Sequence, residues 1–205
     1  MEPPSAQVVP PRFIVIEGID GAGKSTQLNL LAAALRARGE QLFVSREPSD
    51  SPWGRQLRAS AAQGRRPPAE ELELFLLDRE HHLQQQILPA LAAGATVLLD
   101  RYLHSTIAYQ GIDSDDPIAL EQQVRARAVA PDCVVLLDIE VESALQRIAA
   151  RGNPDRFEQR HTLQQIRERF LALAEHDPLL QIVDGRGESA AVHQRILRQL
   201  RVVID

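Results

Sequence analysis

The hydrophobic positions of this chain gather into five short apolar runs, each followed by a longer stretch of mixed polarity. The runs have the length of strands and contain mostly branched aliphatic residues, which is typical of strands buried on both faces of a parallel sheet. They predict strands at 13–17, 41–45, 96–100, 133–138 and 181–184.

The stretches between the runs place their apolar residues at helical spacing. In the first stretch, Leu28, Leu31 and Leu35 recur three and four residues apart and share one helical face. The same pattern predicts helices over 24–38, 53–63, 69–92, 117–129, 141–151, 160–175 and 189–200. Strands that alternate with helices indicate an α/β fold, so we predict a five-stranded, mainly parallel sheet between two layers of helices.

Length and composition favour a single globular domain. The chain has 205 residues with a net charge of −5, and we place the domain at 12–205, after a leader at 1–11 that we expect to be flexible. The negative charge argues against a general nucleic-acid binder. Because the sequence shows neither a signal peptide nor an apolar stretch of membrane-spanning length, we expect a cytoplasmic protein without a membrane partner.

A phosphate-binding loop follows the first predicted strand. Residues 18–25 read Gly-Ile-Asp-Gly-Ala-Gly-Lys-Ser, and Lys24 is the only lysine in the chain. In such loops the backbone N–H groups surround phosphate oxygens, the lysine reaches the β- and γ-phosphates, and the serine binds Mg²⁺. We therefore predict a nucleoside-triphosphate site formed by Gly18, Ile19, Asp20, Gly21, Ala22, Gly23, Lys24, Ser25 and Thr26. The alternative is a glycine-rich turn with an incidental lysine.

Charged residues follow the other predicted strands, where ligands bind in parallel sheets. Arg46 and Arg101 each come after a strand and could converge on a second anion, because a guanidinium matches phosphate in a bidentate manner. Asp100 ends the third strand, as expected for a carboxylate that holds Mg²⁺ directly or through water. The alternative for Asp100 and Arg101 is a structural ion pair.

Two further segments carry candidate chemistry. Phe75 and Arg79 lie four residues apart on one predicted helical face, so a ring and a guanidinium could meet a base together. The alternatives are a core phenylalanine and an arginine paired with a nearby carboxylate. Residues 147–160 are rich in arginine around a Gly-Asn-Pro break, which suits a mobile lid over a phosphoryl group, although a solvated loop would show the same composition.

In this order, these segments resemble the thymidylate kinase family, whose members make dTDP from dTMP. The resemblance covers about residues 12–205. It is carried by Ile16-Glu-Gly-Ile-Asp-Gly-Ala-Gly-Lys-Ser-Thr26, Arg46-Glu-Pro48, Leu74-Phe-Leu-Leu-Asp-Arg79, Asp100-Arg-Tyr-Leu-His-Ser-Thr-Ile-Ala-Tyr-Gln-Gly111 and Arg156-Phe-Glu158. It implies a P-loop kinase fold with a short mobile lid, ATP as phosphoryl donor, Mg²⁺, dTMP as acceptor in dTTP synthesis, and a homodimer.

The resemblance also implies how the base and sugar of the acceptor are bound. Phe75 would stack on thymine, and Arg79 would hydrogen-bond its O4 atom. Ser105 and Thr106 would meet the other edge of the base. Tyr109 would press on the sugar and disfavour a ribose 2′-hydroxyl.

On the phosphate side, the resemblance implies that Arg101, with help from Arg46, holds the dTMP phosphate, and that Asp20 lies near the acceptor sugar and the metal. One segment departs from the family pattern. Many bacterial members continue Arg-Glu-Pro with Gly-Gly-Thr, whereas this chain has Ser-Asp-Ser-Pro-Trp-Gly at 49–54, which adds the carboxylate of Asp50.

The source of a catalytic arginine differs among family members, and some carry it in the phosphate loop. This chain has Gly21 and Ala22 there, so it is similar to the group that supplies the arginine from the lid. The lid candidates are Arg147, Arg151, Arg156 and Arg160. We predict that Lys24, Arg101, Arg151 and Arg156 are the catalytic residues.

Other functions share parts of these motifs. A GTPase-type switch would read guanine with a motif that needs a second lysine, which this chain lacks. A deoxynucleoside kinase shares the loop and the Asp-Arg pair, and its hydroxyl acceptor calls for a carboxylate base, a part that Glu47 could play. A kinase for another pyrimidine monophosphate, and a relative that binds nucleotides without turnover, also remain open.

Overall fold

The computed structural model describes residues 12–64, 66–150 and 157–204. The predicted leader at 1–11 lies outside these residues, and so do two of the predicted catalytic residues, Arg151 and Arg156.

The five predicted strands form one parallel sheet. They are β1 (Phe13–Glu17), β2 (Leu42–Arg46), β3 (Thr96–Asp100), β4 (Cys133–Asp138) and β5 (Leu180–Asp184), in the spatial order β2-β3-β1-β4-β5. All four strand pairings are parallel. The α/β prediction is confirmed, with strand boundaries within about one residue of those read from the apolar runs.

Helices connect the strands. They are α1 (Lys24–Ala37), α2 (Pro52–Gln63), α3 (Pro68–His82), α4 (Leu88–Ala92), α5 (Leu103–Gln110), α6 (Pro117–Ala126), α7 (Val141–Ala149), α8 (Phe157–His176) and α9 (Ser189–Ile204). The predicted helix 69–92 is interrupted, because Leu83–Ile87 forms a π-helical turn between α3 and α4. Among the described residues, none of the helices is long and apolar enough to cross a membrane.

Sequence analysis missed helix α5. Seven of its eight residues are buried, including the polar side chains of His104, Ser105 and Thr106. A short helix that is buried on nearly every side shows no amphipathic spacing, so the periodicity that found the other helices was absent here. Its burial matters for function, because α5 carries three of the predicted substrate-binding residues.

The core lies around the central strands. Ile14, Val15, Leu98 and Val134 have no exposed surface, and the side chain of Cys133 is buried beside them. Burial raises the pKa of the Cys133 thiol to about 11, so it remains protonated near neutral pH. The buried strands align their carboxyl ends: the Arg101 N–H donates to the carbonyl oxygen of Ile16 at 3.0 Å, and the Glu47 N–H to that of Asp100 at 3.1 Å.

Candidate active site

The phosphate loop joins β1 to α1 and depends on glycine for its close contacts. Gly21 has φ of 81°, and a Cβ atom there would lie 2.5 Å from the carbonyl oxygen of Ala144. The loop ends at Gly23, which has φ of 100°, and α1 begins at Lys24 without a side-chain cap. A helix N-terminus behind a ring of backbone N–H groups attracts an anion, as the sequence motif predicted.

Two cavities differ in what lines them. One of about 150 Å³ is lined by Asp20, Gly21, Gly23, Lys24, Ser25, Thr26, Asp100 and Arg101. A larger one of about 580 Å³ lies between α5, α6 and α8, and its lining mixes apolar side chains with charged ones such as Arg125, Arg169 and Asp177. We assign the candidate site to the smaller cavity, because the phosphate loop itself lines it, together with Asp100 and Arg101.

Lys24 is buried against its own loop. Its Nζ atom donates to the carbonyl oxygens of Gly18 and Ile19, each at 3.0 Å. Burial first, and the nearby charge of Arg101 next, lower the pKa of Lys24 to about 8. A polyphosphate in the cavity would supply the negative charge that favours the ammonium form.

Ser25 and Asp100 form a pair suited to Mg²⁺. Ser25 Oγ donates to Asp100 Oδ2 at 2.7 Å. The other oxygen, Oδ1, is buried and has no hydrogen-bond partner among the described residues. In that same part of the chain no group of three or more His, Cys, Asp or Glu side chains could hold a metal. The pair therefore fits an ion that takes its remaining ligands from water and phosphate oxygens, as Mg²⁺ does.

Arg101 is held from three sides. Its Nη2 atom donates to Asp20 Oδ1 at 2.5 Å and to the Tyr109 hydroxyl at 3.0 Å, and Nη1 donates to Ser105 Oγ at 3.0 Å. Burial raises the pKa of Asp20, but the charges of Arg101 and Lys24 outweigh it, so the net shift is downward. Arg101 thus pairs with Asp20 and lines the cavity, whereas the ion pair with Asp100 that sequence analysis considered is not formed.

Arg46 does not join Arg101 in this arrangement. Its side chain is 64% exposed and lies 4.0 Å from Asp50 Oδ1. Asp50 in turn accepts a 2.7 Å hydrogen bond from Arg58 Nη2. The predicted convergence of two arginines on an acceptor phosphate stays a prediction, and in this structure the neighbour of Arg46 is Asp50.

Arg79 is fully buried and paired with a carboxylate. Its Nε and Nη2 atoms donate to Glu47 Oε2 at 3.1 and 2.8 Å, and Nη2 also donates to Thr106 Oγ1 at 2.8 Å. Its Nη1 atom is buried without a partner within the described part of the chain. Phe75, one turn earlier on α3, is half-buried and lies outside the described apolar core. The pairing alternative is thus observed for Arg79, with its Nη1 donors left unused, and the core alternative is not observed for Phe75.

Ser105 is bonded to Glu17 and Arg101, and the contact with the base that the resemblance implies stays a prediction. Its hydroxyl donates to Glu17 Oε2 at 2.5 Å while accepting from Arg101. Glu17 also accepts the backbone N–H groups of Tyr102 and Ser105. Burial raises the pKa of Glu17, and nearby His104 opposes that shift. Sequence reasoning gave Glu17 no role, although a carboxylate at the end of an apolar strand was an available signal.

The predicted lid spans two helices. Arg147, in α7, donates to the carbonyl oxygens of Gly21 and Ala22 at 3.4 and 3.2 Å, so it lies against the phosphate loop. Arg160, in α8, is 56% exposed and pairs with Glu142. Arg151 and Arg156 lie outside the described residues, and their predicted roles stay predictions.

The segment that departs from the family pattern forms a buried network on Asp78. Ser49 Oγ and Ser51 Oγ donate to Asp78 Oδ1 at 2.5 and 2.6 Å, and the Ser49 N–H donates to Oδ2 at 2.8 Å. Gly54 is needed there, because a Cβ atom would lie 2.1 Å from the carbonyl oxygen of Ser49. Sequence analysis did not identify Asp78, since only the folded loop brings the two serines to it.

The fold and the site define a P-loop nucleotide kinase: a phosphate loop at the carboxyl edge of a parallel sheet, with metal-type oxygens and an arginine in the same cavity. Comparison with known proteins narrows this class. The family model for thymidylate kinase matches residues 16–196, and the chain belongs to that family.

Three relatives named thymidylate kinase illustrate the similarity. The protein from Xylella fastidiosa (strain M12) is 42% identical over 193 residues, which cover 93% of this chain and 88% of the relative. That from Xanthomonas euvesicatoria pv. vesicatoria (strain 85-10) is 43% identical over 195 residues, covering 94% and 82%. That from Akkermansia muciniphila is 43% identical over 189 residues, covering 92% and 91%.

Proposed function

We propose that this protein transfers the γ-phosphoryl group of ATP to dTMP, forming dTDP in dTTP synthesis. The observation that carries the proposal is that Arg101 lines the same small cavity as Lys24 and the phosphate loop. A donor phosphate on the loop and an acceptor phosphate on Arg101 would therefore meet within one site. Relatives that bear the name thymidylate kinase support dTMP as the acceptor.

On the donor side, residues Gly18 to Thr26 bind the triphosphate of ATP. Lys24 exchanges its two loop carbonyls for β- and γ-phosphate oxygens. Ser25 and Asp100 would hold Mg²⁺, which supplies charge neutralisation at the phosphates. Arg147 lies against the loop, and Arg151 and Arg156 approach the transferring group from the lid.

On the acceptor side, Arg101 binds the dTMP phosphate, and Arg46 leaves Asp50 to join it. Phe75 stacks on thymine, and Arg79 offers its unused Nη1 donor to the O4 atom. Thr106 acts at the base edge indirectly, by accepting a hydrogen bond from Arg79. Ser105 and Asp20 hold Arg101 in place. Tyr109 also binds Arg101 and lies against the sugar.

The reaction needs charge neutralisation more than proton transfer. The second pKa of a phosphate monoester is about 6, so the acceptor is a dianion near neutral pH and attacks without a general base. The obstacle is repulsion between two anions, which Lys24, Arg101 and the lid arginines reduce by binding both in line. An arginine on the transferring group contributes about 10³- to 10⁵-fold in comparable enzymes.

The state of Glu47 disfavours a deoxynucleoside kinase. Such an enzyme needs a carboxylate that can take a proton from a hydroxyl acceptor. Glu47 is buried, with Oε2 bonded to Arg79 and Oε1 3.5 Å from His82 Nδ1. A carboxylate engaged in this way holds Arg79 in place and is not available as a base. We also propose that the protein is a cytoplasmic homodimer with residues 147–160 as its lid, as the family resemblance implies.

A coupled assay of ATP consumption tests the proposal. The purified protein is supplied with dTMP, dUMP, dCMP, dGMP or thymidine, each with ATP and Mg²⁺. We expect the highest kcat/KM with dTMP, followed by dUMP, which shares the O4 acceptor. Faster turnover of thymidine than of dTMP would support the deoxynucleoside kinase instead, and no turnover of any acceptor would support a binding protein.

A further inference from the structure

Arg79 engages three of its five N–H donors with described side chains. One Nε donor and both Nη2 donors are taken by Glu47 and Thr106. The guanidinium carbon also lies 5.0 Å from the centroid of the Tyr102 ring. The two Nη1 donors are buried and unpaired among the described residues. Since buried donors are almost always satisfied, these two are available to a group that the described part of the chain does not supply.

Glu47 fixes the direction of this guanidinium and balances its positive charge. Its carboxylate contacts the Nε and Nη2 side of Arg79, so only the Nη1 side remains free. The pair carries no net charge when both members are ionised. It therefore offers N–H donors without an excess positive charge, which suits a neutral carbonyl acceptor better than an anion.

Glu47 is itself fixed by its surroundings. Its backbone N–H donates to the carbonyl oxygen of Asp100 at 3.1 Å, which ties it to the strand that carries the metal-type carboxylate. Its Oε1 atom lies 3.5 Å from His82 Nδ1, and His82 Nε2 lies 2.9 Å from Ser45 Oγ. Two and four residues further on, the Ser49 and Ser51 hydroxyls bind Asp78, the neighbour of Arg79. The segment that carries Glu47 is thus tied to the helix that carries Arg79 at more than one residue.

We propose that Glu47 is a positioning residue that, with Thr106, aims the Nη1 donors of Arg79 and thereby sets which pyrimidine the acceptor site takes. The inference rests on the proposed function, in which Arg79 faces the base. Thymine and uracil present a carbonyl oxygen at the 4-position and accept a hydrogen bond. Cytosine presents an amino group there, which would bring donor against donor and leave both unpaired.

Glu47→Gln tests the role with little change in shape. The amide is neutral and brings its own N–H donors, so Arg79 loses both its counter-charge and its fixed direction. We expect the KM for dTMP to rise at least about tenfold, with the KM for ATP within about twofold of wild type. The ratio of kcat/KM for dTMP to that for dCMP should fall at least about tenfold, which a purely structural defect would leave unchanged.

Glu40→Gln is the matched control. Glu40 lies just before β2, at the opposite end from Glu47, and it also binds an arginine and a threonine: Oε1 is 3.7 Å from Arg12 Nη1, and Oε2 accepts from Thr96 Oγ1 at 3.0 Å. We expect this variant to melt at a lower temperature while keeping the wild-type ratio. An equal fall of the ratio in both variants would overturn the proposal.

Thr106→Val provides a second test if the Glu47→Gln protein does not fold. It removes only the acceptor of one Nη2 donor, and we expect a smaller change of the ratio in the same direction. If the wild-type protein turns over dTMP but a folded Glu47→Gln protein keeps the wild-type ratio, the positioning role is wrong and the proposed function stands. If the wild-type protein does not turn over dTMP, the proposed function itself fails.

Discussion

Ser25 Oγ donates a 2.7 Å hydrogen bond to Asp100 Oδ2, although 75 residues separate the two along the chain. Ser25 lies in the first turn of α1, and Asp100 ends β3, which pairs directly with β1. The parallel register therefore brings a hydroxyl and a carboxylate together at the carboxyl edge of the sheet.

Asp100→Asn should increase the Mg²⁺ concentration needed for half-maximal activity by at least about tenfold, because an amide is a far weaker ligand than a carboxylate for this ion. Initial rates measured over a Mg²⁺ series at saturating ATP and dTMP check this. Asp184→Asn is the control, since Asp184 ends a strand at the same edge but pairs with Arg186. An unchanged Mg²⁺ dependence in Asp100→Asn would remove Asp100 from the metal site.

The pKa of Lys24, about 8, predicts pH-dependent ATP binding. Only the ammonium form binds the phosphates, so the apparent Kd for ATP should rise about tenfold by pH 9, where roughly a tenth of a group with this pKa is charged. Lys24→Arg keeps its charge over this range, and any ATP binding that it retains should not change with pH. A wild-type Kd that stays constant from pH 7 to 9 contradicts the prediction.

The lowered pKa of Lys24 also makes the free energy of unfolding depend on pH. The pKa of Lys24 is lowered in the folded state, by burial first and by Arg101 next, from the ordinary value of 10.5. Between about pH 8 and 10.5 the unfolded chain therefore binds more protons at this residue than the folded chain does. Lys24 therefore lowers the free energy of unfolding most below pH 8, and this unfavourable contribution diminishes as the pH rises through that window.

The lid prediction follows from the absence of arginine in the phosphate loop. Arg151→Ala or Arg156→Ala should lower kcat at least about 10²-fold with little change in the KM for dTMP, because the interaction forms mainly in the transition state. Steady-state kinetics of both single variants and the double variant measure this. Arg38→Ala is the control: Arg38 is an exposed arginine just after α1, and the variant should keep wild-type kinetics. A near-normal kcat in all three lid variants would contradict the catalytic role of Arg151 and Arg156 and leave Arg147 as the next candidate.

Asp50→Asn should lower the KM for dTMP about two- to fivefold at low ionic strength, because Arg46 would lose a competing carboxylate. Both side chains are exposed, so the effect should disappear in about 0.5 M salt, where charges are screened within a few ångströms. Glu175→Gln is the control, because Glu175 is an exposed carboxylate in the last turn of α8, and this variant should leave the KM unchanged at either salt concentration. A KM that does not fall at low salt would show that Asp50 does not restrain Arg46.

The elements that repeat a local pattern were predictable. The five strands and the position of the phosphate loop follow from apolar runs and from the spacing of three glycines, both of which are written in neighbouring residues. Helix α5 was missed because its burial comes from contacts on nearly every side, which leave no polar face in the sequence. The π-helical turn at Leu83–Ile87 inside the predicted helix 69–92 was also invisible, since its residues keep helical spacing.

The groups available for chemistry are fixed by local sequence: the single lysine, the serine beside it, the carboxylate that ends β3 and the arginine that follows it. Only the tertiary structure decided how those groups are paired. Glu47 and Arg79 are 32 residues apart, and Glu17 and Ser105 are 88 apart, yet each pair shares a buried hydrogen bond. The physical reason is that a buried charge must find its partner in space, and the parallel sheet, which aligns the ends of strands distant in sequence, decides which partner is near.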